Sequence, residues 1–161
     1  MIFVTVGGQV AFDRLIETVD RWAGERGRDD VFCQILDGAY EPKHASWERE
    51  LSPADFEARL LASDVIVAHA GMGTIITALE KGKPIVILPR KAALKEQRND
   101  HQLATAQRFR ERGQVRVAMD EAELRGALDH LDALHASASI GDRASDELLT
   151  AIRTFVAADP R

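Results

Sequence analysis

The segment of residues 64–102 constrains the fold of this chain more than any other. It holds two short apolar runs, at 65–68 and 85–88, each long enough for a buried strand and too short for a helix. Between them, residues 74–81 place isoleucine and leucine side chains at helical spacing, and the glycine and proline that follow predict a helix stop. The segment therefore predicts a strand–helix–strand unit.

The turn that opens this helix is built from glycine, in the order Gly71-Met72-Gly73-Thr74. The first N–H groups of a helix point outward without an acceptor in the helix, so an anion, most often a phosphate, is a natural occupant. A plain tight turn explains the same glycines. The pattern lacks the Gly-Lys-Ser/Thr of a Walker loop, and Thr77 stands where the dinucleotide fingerprint has a glycine. ATPase and standard dinucleotide functions are therefore disfavoured.

The rest of the chain alternates between strands and helices. Further strands are predicted at 2–6, 31–36, 45–51 and 115–118, with the third centred on Trp47. Further helices are predicted from about residue 12 to 24–27, at 53–62, at about 101–113, through Leu124–Leu134 and through Leu148–Val156, with a loop at 136–142 between the last two. This alternation predicts an α/β fold, a Rossmann-like parallel sheet with helices on both faces, formed by residues 1–161 as a single domain.

Charge and composition exclude several classes of function. The formal net charge of −5 argues against a general nucleic-acid role. The only cysteine, Cys33, lies in an apolar run, and the five histidines show no ligand spacing, so no metal site is expected. No apolar run reaches the length of a membrane span, and any work at a membrane would need something else to hold the chain there.

A second glycine turn, Gly7-Gly8-Gln9, follows the first predicted strand. In a parallel sheet this turn and the turn at Gly71 lie at the same edge. Ligands of open α/β sheets bind in the crevice at the carboxyl ends of the strands. The two turns together therefore indicate a binding cleft.

Three polar features flank these turns, and each has a plain structural explanation. His69 is either a turn histidine with a local partner or a donor to a phosphate oxygen. The run Asn-Asp-His-Gln at 99–102 is either a helix cap or a binding surface for a polyhydroxylated ligand. The preceding loop has one acid, Glu96, and is either solvated or suited to an anionic ligand or anionic lipids. Its basic residues are Arg90, Lys91, Lys95 and Arg98.

Taken in order, these motifs resemble the glycosyltransferase family 28 C-terminal domain, the donor-binding half of MurG-type enzymes. The resemblance spans roughly residues 2–113. It rests on V-T-V-G-x(4)-F-D-x-L-I, Q-x-x-x-G, A-S-D-V-I-V-A-H-A-G-M-G-T, A-L-E-K-G-K-P-I-V and P-R…N-D-H-Q. The pattern is most similar to the stand-alone catalytic subunits of two-component UDP-sugar transferases of the bacterial exopolysaccharide type. It implies the single donor-binding lobe of a GT-B glycosyltransferase.

The resemblance implies a role for each matching residue. The diphosphate of a UDP-sugar would be flanked by His69 and bound by Gly71, Met72, Gly73 and Thr74. The donor sugar would be bound by His101 and Gln102, with Asn99, Asp100 and Arg90 nearby. The cleft facing the acceptor would be lined by Gly7, Gly8 and Gln9. One departure concerns the ribose, because many members carry a glutamate where this chain has Thr77. The ribose is therefore expected at Thr77 and Glu80: either Glu80, the nearest acid in the helix, takes over its hydroxyls or the ribose is held more weakly.

The implied reaction is an inverting, metal-independent transfer of a hexose or uronic acid from a UDP-sugar, without a cofactor. The amino terminus of the helix would stabilise charge on the departing phosphate. The acceptor hydroxyl needs a general base, for which Asp13, His101 or a residue of a partner is possible. The basic loop hints at a glucuronate, whose carboxylate would pair with Arg90 or Lys91.

A partner is also implied, because the chain has room for one lobe of a two-lobed fold. The expected partner is a membrane-anchored, acceptor-binding subunit that recruits this cytoplasmic chain to the inner face of the membrane. The acceptor would be a lipid-linked, polyprenyl-diphosphate saccharide. The alternative is a non-catalytic, nucleotide-sugar-binding or stabilising subunit. A sugar epimerase shares the donor fold but needs a longer chain.

Overall fold

The computed structural model describes residues 1–113 and 115–134, and in this part of the chain six strands form one sheet. The strands are β1 (Ile2–Thr5), β2 (Val31–Gln34), β3 (Ser46–Glu48), β4 (Val65–His69), β5 (Ile85–Leu88) and β6 (Arg116–Val117). Their spatial order is β3-β2-β1-β4-β5-β6, and every neighbouring pair is parallel. The predicted Rossmann-like parallel sheet is confirmed.

Helices cover both faces of this sheet. They are α1 (Asp13–Arg26), α2 (Pro53–Ala62), α3 (Met72–Glu80), α4 (His101–Arg112) and α5 (Glu121–Leu128). Successive side chains of a strand point to opposite faces. Accordingly, Val65 and Val67 of β4 pack in one core with α1 and α5, whereas Ile66 and Ala68 pack in the other with α2, α3 and α4. Both faces are apolar, which explains the unbroken hydrophobic runs of the central strands.

Two predicted helix boundaries differ from the structure. The helix α3 begins at Met72 rather than at residue 74, because the amide of Ile75 already donates to the carbonyl of Gly71 at 3.1 Å. The helix predicted through Leu134 ends at Leu128, where Asp129 accepts hydrogen bonds from Trp22 and Arg26 of α1. The first difference places Gly73 inside the first helical turn.

The predicted starts of α2 and α4 are confirmed. The hydroxyl of Ser52 caps α2 by accepting from the amide of Asp55 at 3.1 Å. Asp100 occupies the N-cap position of α4, although its carboxylate accepts from the amide of Ala92 at 2.9 Å rather than capping the helix.

The predicted loop at 136–142 and helix through Leu148–Val156 lie outside the described residues, and the single-domain assignment of residues 1–161 stays a prediction. Every described helix is too short or too polar to cross a bilayer.

The strand order places a crevice at the centre of the sheet. The connection that leaves β1 runs through α1 on one face, and the connection that leaves β4 runs through α3 on the other. Between β1 and β4 the two connections diverge, which opens a space at the carboxyl ends of these strands. Both glycine turns follow strands that border this space.

Candidate functional site

The imidazole of His69, the last residue of β4, lies between the two glycine turns. A β-carbon at Gly7 would lie 2.5 Å from Cε1 of His69, and one at Gly71 would lie closer still to Nε2. Gly7 also has a φ of +84°, which disfavours any residue with a β-carbon. Both turns therefore pack against the His69 ring, and this packing alone requires glycine at Gly7 and at Gly71.

His69 is held in its neutral form. Burial lowers its pKa to about 4, and the positive charge of Arg90 adds to this effect. Its Nδ1 atom is buried and makes no hydrogen bond with any described residue. A neutral imidazole in the wall of the crevice does not supply a positive charge to an anion at neutral pH.

We expect His69 to stay neutral from pH 8 down to pH 5 and to protonate with a midpoint near 4, which NMR of the histidine side chains measures. Because the folded pKa lies below the ordinary value, protonation favours the unfolded chain. Stability is therefore present above pH 6.5 and declines as the pH falls toward 4, by up to about 3 kcal/mol. This pH-dependent loss should shrink in a His69→Asn variant. A midpoint above 6 for His69 would contradict the prediction.

The amino terminus of α3 faces the crevice without a side-chain cap. The amides of Met72, Gly73 and Thr74 have no acceptor within the helix, because Ile75 is the first residue whose amide donates to a carbonyl of the helix. Gly73 is exposed, has an ordinary helical conformation, and would place a β-carbon in open space. Neither backbone conformation nor packing within the described residues requires glycine there.

Two cavities adjoin at this helix terminus and share Gly7, Gly8, Gly73 and Thr74. The first, here the apolar cavity, has a volume of about 600 Å³. Its other lining residues are Gln34, Leu36, Glu50, Leu51, Pro53, Phe56 and Thr77. The second, here the polar cavity, has a volume of about 500 Å³. Its other lining residues are Val6, Gln9, Val10, His69, Arg90, Glu96, Gln97 and Gln102.

Arg90 forms part of the wall of the polar cavity and is only 3% exposed. Its guanidinium donates to the carbonyl of Val6 at 2.9 Å and to the carbonyls of Val10 and Ala11, and it lies 4.6 Å from the ring centroid of Phe12. Burial lowers its pKa to about 10. Sequence reasoning expected Arg90 to pair with an anionic group of the ligand. In the structure, two of its nitrogens donate instead to carbonyls that flank the Gly7-Gly8-Gln9 turn, which is the first glycine loop along the chain.

The polar run at 99–102 contributes one lining residue to the polar cavity, Gln102. Its Oε1 accepts from the backbone amide of Arg90 at 3.2 Å. His101 is exposed at the start of α4, and Asn99 accepts from its amide at 3.3 Å. Neither of these two nor Asp100 lines either cavity. Gln102 is thus the member of this run that the structure brings to the crevice.

The remaining predicted residues divide between the crevice and other surfaces. Gln9 lines the polar cavity and Thr77 the apolar cavity. Glu80 is exposed at the last residue of α3, and Met72 faces outward with 49% of its surface exposed. Asp13 accepts from the amides of Ala39 and Tyr40 at 3.2 and 3.3 Å and lines neither cavity.

Sequence reasoning missed the residues that fix the first glycine loop. The buried side chain of Gln34 donates to the carbonyl of Gly7 at 3.0 Å and accepts from the hydroxyl of Thr5 at 2.7 Å. The same hydroxyl accepts from the amide of Gly7 at 3.1 Å. The available signal was a glutamine and a threonine at the ends of otherwise apolar strands, since buried polar groups need partners.

The basic loop is fastened by its single acid. Arg14 of α1 makes a bidentate contact with the carboxylate of Glu96, at 2.6 and 2.8 Å, and donates to the carbonyl of Pro89 at 2.9 Å. Glu96 also accepts from the amide of Lys91 at 2.8 Å. The loop therefore lies against the crevice in a defined position, with the charge of Glu96 already paired.

Comparisons with known proteins identify the family and the fold of this chain. The model of the family described as glycosyltransferase family 28 C-terminal domain matches residues 1–139. The chain is 28% identical over 124 residues to the human UDP-N-acetylglucosamine transferase subunit ALG13. The matched region covers 71% of this chain and 10% of that protein. It therefore spans about a tenth of the length of this curated relative.

Solved structures share the fold. The solution structure of ALG13 has a TM-score of 0.63 at 18% identity and covers 92% of this chain and 93% of that one. The crystal structure of MurG from Acinetobacter baumannii has a TM-score of 0.62 at 18% identity, over 94% of this chain and 49% of that one. At these identities the likeness concerns the fold.

Proposed function

Because this chain belongs to the glycosyltransferase family 28 C-terminal domain family, we propose that it binds the UDP-sugar donor of an inverting hexosyl or uronosyl transfer. The observation that carries this proposal is Gly73. This glycine stands in the first turn of an uncapped helix, between two cavities, where the described residues give no steric reason for it. A ligand that must approach the backbone closely supplies the reason.

The diphosphate fits the amino terminus of α3. The amides of Met72, Gly73 and Thr74 and the partial positive charge of the helix terminus suit a doubly charged anion. Because His69 is neutral, it would contribute a hydrogen bond rather than charge.

The two cavities then divide the rest of the donor by polarity. A base and ribose suit the apolar cavity, where Leu51 and Phe56 offer apolar surface. The sugar suits the polar cavity, where Gln97 and Gln102 offer amide groups for hydroxyls. The donor would thus pass the amino terminus of α3 at Gly73. Its diphosphate would lie there, between the nucleoside in the apolar cavity and the sugar in the polar cavity.

In this arrangement the chain supplies electrostatic stabilisation. Negative charge grows on the phosphate of departing UDP as the bond to the sugar breaks, and preorganised amides at α3 stabilise it. The acceptor hydroxyl still needs a base. Asp13 is bound by two backbone amides outside the cavities, whereas His101 is exposed at the start of α4, so we assign the base to His101 or to a partner chain.

We also propose that a partner provides the acceptor site. The crevice is bounded by this chain on one side, and the acceptor must reach the sugar from the other. The partner would be a membrane-anchored subunit presenting a lipid-linked saccharide at the cytoplasmic face of a membrane. No metal ion is required, since the amides replace it at the diphosphate.

A non-catalytic role is the second candidate. It is favoured by one observation: Asp13 and His101, the two residues of this chain named as possible bases, line neither cavity. In that case the chain would bind the nucleotide sugar and stabilise its complex, with all proton transfer supplied by the partner.

Binding measurements on the whole chain test the proposal. We expect UDP to bind in calorimetry, and NMR amide shifts to concentrate at Met72, Gly73 and Thr74. A comparison of UDP-glucuronate, UDP-galactose and UDP-GlcNAc with free UDP then identifies the sugar. No binding of any of the four, or shifts confined to another edge of the sheet, would refute the proposal.

A further inference from the structure

The apolar cavity contains one acidic side chain among the described residues that line it, Glu50. It lies on the segment that follows β3, and Thr77 of α3 lines the same cavity. Glu50 is exposed and takes part in none of the ion pairs formed among the described residues. Glu50 is therefore a carboxylate that is free to accept hydrogen bonds from a ligand in the apolar cavity.

The backbone fixes the position of Glu50. The amide of Ile35 donates to the carbonyl of Glu48 at 3.0 Å, and that of Leu36 donates to the carbonyl of Arg49 at 2.8 Å, so the ladder between β2 and β3 continues to the residue before Glu50. The Arg49 guanidinium turns the other way and donates to the carbonyl of Leu36 at 3.0 Å. The neighbouring cation is therefore committed elsewhere, and Glu50 is left to the cavity.

The other groups near the helix are less suited to bind a diol. The hydroxyl of Thr77 donates to the carbonyl of Gly73 at 2.9 Å, so its proton is already used. Glu80 stands at the far end of α3 and lines neither cavity. An ionised carboxylate accepts from both hydroxyls of a cis-diol with charge-assisted hydrogen bonds, which a neutral hydroxyl cannot match.

We infer that Glu50 binds the ribose hydroxyls of the nucleotide. The inference rests on the proposed function, because it presumes that the diphosphate lies at α3. Nucleotide-binding α/β folds use an acidic side chain to accept hydrogen bonds from the ribose hydroxyls. The inference assigns this role to the carboxylate that follows β3. Thr77 then serves as a neutral neighbour in the wall of the same cavity rather than as the ribose ligand.

The test compares UDP with 2′-deoxy-UDP on four proteins: the wild-type chain, Glu50→Ala, Glu80→Ala and the control Glu57→Ala. Glu57 is exposed on α2, lines neither cavity and pairs only with Lys81. We expect the wild type and the control to prefer UDP by about 10-fold or more, since one hydrogen bond to a charged group is lost. In Glu50→Ala the affinity for UDP should fall by about 10-fold and the preference should drop below about 3-fold.

Each other outcome is decisive. A preference for UDP that survives in Glu50→Ala overturns the inference and leaves the diphosphate site untouched, and loss of the preference in Glu80→Ala instead would assign the ribose to Glu80. A wild-type chain that binds neither nucleotide overturns the proposed function together with the inference. Unchanged thermal unfolding of Glu50→Ala shows that any loss of affinity is local.

Discussion

Replacing Gly73 by aspartate is expected to abolish the binding of UDP and any sugar transfer while leaving the fold intact. The substituted side chain would enter open space at the first turn of α3, where an acid is favourable for the helix. The same carboxylate would stand where the diphosphate must approach. At a separation of about 5 Å the repulsion is about 3 kcal/mol per unit charge, which corresponds to an affinity loss of more than about 100-fold.

A pair of alanine variants separates the ligand effect from the helix effect. Gly73 and Gly126 are both exposed helical glycines whose β-carbons would meet no atom of the described residues, and Gly126 lies in α5 and lines neither of the two cavities. Both Gly→Ala changes should raise the free energy of unfolding by about 0.5–1 kcal/mol. Only Gly73→Ala should weaken UDP binding, by about 10-fold. Transfer activity that persists in Gly73→Asp, with its partner present, would refute the catalytic assignment.

The order of the elements was predictable because it depends on local periodicity. The apolar runs in β4 and β5 and the helical spacing in α3 are visible in the sequence, and their alternation indicates a parallel sheet. The convergence of the turns at Gly7 and Gly71 followed from the sheet alone. The start of α3 was placed two residues late, because a glycine at residue 73 has no side chain to extend the periodic pattern.

The contacts within the site were less predictable, because they join residues far apart in the chain. Nothing local to Arg90 indicates that its partners are backbone carbonyls about 80 residues earlier. The sequence of the loop shows one acid, Glu96, among basic residues. It likewise does not indicate that this acid pairs with Arg14 of α1. Motif similarity predicts that Arg90 lies near the ligand, and that stays a prediction. The hydrogen bonds of Arg90 and Glu96 can be read only from the fold.

Arg90 provides the last prediction, because its two possible roles lead to different measurements. As a buried cation that donates to three carbonyls, it holds the first glycine loop against the end of β5. Arg90→Met would leave those carbonyls without donors in a buried place and should lower the free energy of unfolding by about 3 kcal/mol or more. Arg90→Lys should lower it nearly as much, since one ammonium cannot reproduce the planar fork of donors.

The matched control is Arg98→Met, on the same basic loop but exposed and outside both cavities. Its unfolding free energy should stay within about 0.5 kcal/mol of the wild type. UDP binding in Arg90→Lys, measured under conditions where the variant is folded, should weaken because the loop loses its fixed position beside α3. If Arg90→Met instead unfolds like the wild type and only the affinity for the nucleotide sugar falls, Arg90 acts on the ligand itself. The positive charge would then belong to donor recognition rather than to the support of the loop.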